Sequence, residues 1–145
     1  MKKIRRSVFE TNSSSSHSIT IAKEKHFIPE QLYIEEDGTC KIFTGEFGWE
    51  EAYYHDAATK ASYCATYVKN YHLELEEMLL DVIQKETKAS AGVIIVGEGE
   101  SDCYPWGYID HQSDDVCDKA FESEDNLRQF IFNKKSVLIT DNDNH

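Results

Sequence analysis

The sequence predicts an α+β fold, and three observations carry that expectation. Short alternating runs stand near both ends of the chain, at Ser18–Ala22 and Ser136–Thr140. Asp37-Gly38 separates two further runs in the manner of a tight hairpin. Between residues 56 and 88 the apolar residues instead recur every three or four positions, the period of amphipathic helices. The order is then strands, hairpin, two helices, strand, loop, helix, strand. That order suits one mixed sheet, bearing an N-terminal strand pair and a hairpin, with three helices packed on it. The 145 residues fit a single domain, 1–145, with one core.

Taken in order, Ile4–Phe9 reads as a first strand and Ser18–Ala22 as its neighbour, with Ile19 and Ile21 on one face. Leu32–Glu36 and Thr39–Phe43 are the two arms of the predicted antiparallel hairpin. Gly45–His55 reads as a loop in which aromatics alternate with acids. Asp56 is placed to cap a helix whose inner face is Ala57, Ala61, Cys64, Ala65, Val68 and Tyr71. Leu73–Lys88 is a second helix with Leu75, Met78, Leu79, Val82 and Ile83 inward. Its acids come early and its lysines late, as the helix dipole favours, and Ala91-Gly92 ends it. The unbroken run Val93–Val96 predicts a central strand covered on both faces. Gly97–Asp118 is a long, aromatic, acidic loop. Ser123 caps a short helix with Leu127, Phe130 and Ile131 inward, closed by Asn133. Ser136–Thr140 is the last strand, expected parallel to its late neighbour, and Asp141–His145 is a polar tail.

Charge narrows the function. The net charge is −12, from 27 acidic and 15 basic residues, although Lys2, Lys3, Arg5 and Arg6 make the extreme N-terminus basic. Such a field repels nucleic acid and steers the molecule toward basic surfaces. No apolar run reaches the roughly 20 residues of a membrane span, and no signal-peptide core follows the basic start, which predicts a cytoplasmic protein. Cys40, Cys64, Cys103 and Cys117 form no C-x-x-C pair, so free buried thiols are expected. Cys103, His111 and Cys117 are too loosely spaced for a zinc knuckle, and neither a metal nor a cofactor is expected.

Two regions could bind something. The stretch RRSVFETNSSSSHSITI gathers Arg5, Arg6, Glu10, Thr11, Asn12, Ser13, Ser14, Ser15, Ser16 and His17. Its hydroxyls and backbone N–H groups suit an anion such as a nucleotide or phosphate, with an arginine to neutralise it. The competing reading is a loop stitched together by its own hydroxyls. His111-Gln112-Ser113 has the H-x-S spacing of two-histidine phosphoesterases, but His17-Ser18-Ile19 breaks the first copy. With no G-x-S-x-G elbow and no P-loop, no catalytic residue is assigned. The second region is a candidate partner surface of aromatics among carboxylates: Phe47, Trp49, Glu50 and Glu51, then Tyr104, Trp106, Asp114 and Asp115.

RRSVFETNSSSSHSITI, with GEFGWEEAYY, GYIDHQS and FIFNKKSVLITDNDN, resembles a family of small uncharacterised proteins encoded by bacteriophages and mobile elements. The resemblance implies a phage context and no defined activity. It joins the charge in suggesting a non-enzymatic binder of a basic host protein, such as a counter-defence inhibitor. Nucleotide binding or phosphoester cleavage with His17 and His111 is the alternative, and a structural accessory role a third.

Overall fold

The computed structural model describes residues 18–23, 32–47, 51–97, 105–109 and 117–140. Within them the chain is α+β, with seven short strands and three α-helices. The strands are β1 Ser18–Thr20, β2 Thr39–Phe43, β3 Glu46–Phe47, β4 Ala52–Tyr54, β5 Gly92–Val96, β6 Tyr108–Ile109 and β7 Val137–Thr140. The helices are α1 Ala57–Tyr71, α2 Glu76–Thr87 and α3 Glu124–Phe132. Residues Leu73–Leu75 and Ala120–Glu122 form single 3-10 turns that lead into α2 and α3.

The described strands form three small sheets. β7 lies between β1 and β4 and is antiparallel to both. β2 runs parallel to β5, with Cys40 opposite Val93 and Ile42 opposite Ile95. β3 runs parallel to β6. The bend between β2 and β3 is bonded on both sides of its turn, by Thr44 N–H to Val96 O at 3.0 Å and by Tyr108 N–H to Gly45 O at 2.9 Å. Gly107 makes this second bond possible. Its φ is +78°, and a Cβ there would stand 2.2 Å from Gly45 O, so only glycine brings the two backbones so close.

The helices form where their caps and faces predict. The Asp56 carboxylate accepts from Thr59 N–H at 2.8 Å and starts α1. Ala57, Ala61, Cys64, Ala65 and Val68 are all buried, as their spacing requires, and small residues let α1 lie close to β2 and α3. Ser123 Oγ accepts from Asn126 N–H at 3.0 Å and starts α3, whose Leu127, Phe130 and Ile131 are fully buried, with Asn133 as its C-cap. The core they complete also holds Tyr63, Tyr67, Leu79, Ile83, Phe132 and Leu138.

Several expectations are corrected. The Asp37-Gly38 turn is present, with Gly38 at φ +90°, but Leu32–Glu36 is not a strand. A single backbone bond, Glu35 N–H to Thr39 O, joins the arms, while Leu32 and Ile34 tuck against the core. β2 takes β5 as its ladder partner instead, because that pairing turns Cys40, Ile42 and Val93 inward together. β5 is therefore not covered on both faces, and Ile94 is 45% exposed. The last strand is antiparallel and lies beside β1 and β4 rather than β5. The region 45–55 holds two short strands and is not one loop. Leu73–Lys88 divides into a 3-10 turn and α2, which ends at Lys88 in the left-handed conformation, ahead of Ala91-Gly92. The Ile4–Phe9 strand lies outside the described residues.

Candidate functional site

The polar-loop residues Arg5, Arg6, Glu10, Thr11, Asn12, Ser13, Ser14, Ser15, Ser16 and His17 all lie outside the described residues, as do His111 and Cys103. So do Trp49, Glu50, Tyr104, Asp114 and Asp115 of the expected partner surface. Ser18, which leaves the polar loop, opens β1 and pairs with Ile139.

The remaining three partner-surface residues separate. Phe47 is a core side chain and not a surface one. It meets Tyr63 edge-on at 5.0 Å between ring centroids, because β3 alternation turns it inward while Glu46 faces out. Glu51 is exposed and introduces β4, where Tyr53 is also exposed. Trp106 is half-buried, with Lys69 Nζ 4.4 Å above its ring and Asn70 Nδ2 donating to its carbonyl at 3.1 Å. Lys69 continues to Glu76 at 2.8 Å, so the tryptophan, the lysine and the first acid of α2 form one stack.

This stack leads onto an acidic surface, the outer face of the 3-10 turn and α2. Leu73, Glu76, Glu77, Leu80 and Asp81 recur at three- and four-residue steps and face the start of β5 at Gly92 and Val93, enclosing a trough of about 660 Å³. Leu73 is 63% exposed, whereas Leu80 and Val93 sit deeper and form the apolar floor. Beside the trough, His72 Nδ1 lies 2.9 Å from Glu74 Oε2, and this hydrogen bond holds the Glu74 carboxyl below its ordinary range. Asp81 pairs with Lys85 at 3.0 Å on an exposed flank, where such pairs are weak and screened.

Two other grooves differ in charge. One of about 340 Å³ between β2, β3 and the start of α1 is lined by Leu32, Ile42, Phe43 and Phe47 with Lys41 among them. A third of about 280 Å³ between α2 and α3 mixes Glu86, Glu124 and Asp125 with Lys85 and Arg128. Of these three grooves, the α2–β5 trough alone has carboxylates and no cation in its lining.

Behind α1 lies a buried polar cluster. Cys64 and Cys117 are both fully buried and hydrogen-bonded to each other, and burial followed by that bond pushes the Cys117 thiol well up. Burial also pushes the Tyr63 hydroxyl up, and Tyr67 donates to Asp118. A thiol held protonated this way is a poor nucleophile, so Cys117 serves the packing of the core. Among the described residues no group of three or more His, Cys, Asp or Glu side chains is placed to hold a metal ion, and no helix is long and apolar enough to cross a membrane.

Sequence reasoning missed the trough. Its signal was a second pair of leucines, Leu73 and Leu80, outside the core stripe of Leu75, Leu79, Val82 and Ile83; the structure puts Leu73 on the 3-10 turn and Leu80 on α2. No protein-family model, no curated protein and no solved structure matches this chain.

Proposed function

We propose that this chain is a non-enzymatic acidic binding protein, of phage or mobile-element origin, that engages a basic host protein and inhibits it. One coincidence carries the reading: a net charge of −12 on a molecule that also leaves Tyr33 76%, Tyr53 62% and Leu73 63% exposed. Solubility alone calls for charge, but it disfavours large apolar side chains in water. Exposed aromatic and aliphatic groups on a molecule of that charge suit the anchors of an interface with a cationic partner. The resemblance of RRSVFETNSSSSHSITI to small phage-encoded proteins supports the origin and is compatible with a host target.

The test is affinity capture by the immobilised full chain from bacterial lysate, beside an unrelated protein of equal charge. A basic host protein retained at about 50 mM salt and released by about 0.5 M is the expected result, because screening weakens long-range attraction. Capture of nothing beyond what the control retains would overturn the proposal.

A further inference from the structure

We draw no further inference here: the strongest candidate, the outer face of the β2–β5 pair, where Phe43 and Ile94 are each 45% exposed, carries nothing because nothing in the structure shows what covers it.

Discussion

An ammonium group inside a protein is costly unless hydrogen bonds replace its water shell. Lys60 is fully buried, and its Nζ donates to Asn133 O at 2.8 Å and Ser136 O at 2.9 Å. It thereby satisfies carbonyls just beyond the end of α3 and supplies positive charge where that helix dipole is negative. Lys60→Met keeps the aliphatic length and removes the donors, so the Ser136 carbonyl loses its lysine partner while the Asn133 carbonyl keeps the bond from Ser136 N–H at 2.9 Å. A loss of about 2–4 kcal/mol is expected, read as a lower urea midpoint at unchanged slope. An unchanged midpoint would mean that the lysine does not hold this corner. Nothing in the sequence announces this role, because a lysine one residue before Ala61 reads as solvent-facing. Asp56 and Ser123, by contrast, were legible, since a cap depends only on its own next three residues.

At the scale of elements, α1 depends on its first turn. Burial alone would raise the Asp56 carboxyl, but hydrogen bonds from the Thr59 side chain and backbone outweigh it and hold the group below its ordinary value. A depressed carboxylate contributes stability above its unfolded pKa and loses it as pH falls through the folded one. Asp56→Ala should therefore cost about 1 kcal/mol near pH 7, and less at an acid pH below the ordinary carboxylate range, where the native carboxyl protonates. Parallel urea titrations of both proteins at the two pH values check it, and a cost independent of pH would assign the effect to packing.

The helices and β7 were readable because their periodicity and caps are local. Strand partners were not. Alternation in Thr39–Phe43 states which side chains face inward, yet says nothing of which strand lies beside it. The Asp-Gly turn forms, but β5 offered β2 a better-buried ladder than Leu32–Glu36 did. The trough was hidden for the same reason. The acids of α2 were visible, but Val93, the wall that makes them one side of a groove, arrives through tertiary structure.

Across the whole molecule the excess of negative charge repels itself, while surface pairs such as Lys23–Asp125, Arg128–Asp125 and Lys85–Glu124 attract. Both effects are screened by salt, and their signs are opposite. With a net charge of −12 the repulsion should dominate, so Tm should rise between about 20 and 300 mM sodium chloride. A flat or falling Tm in a scanning-calorimetry salt series would show that the local pairs outweigh the global field.

The ladders have a consequence for how this chain comes into being. Among the described residues, β1 and β4 both await β7, β2 awaits β5, and β3 awaits β6. A polypeptide emerging from the ribosome thus exposes these early strands before their described partners have been made, while α1 and α2, whose contacts are local, can already coil. The β2–β5 pair can close once Val96 has emerged and β3–β6 once Ile109 has, but β1 and β4 stay unpaired until β7 is made, so a product terminated before Val137 carries edges that invite aggregation.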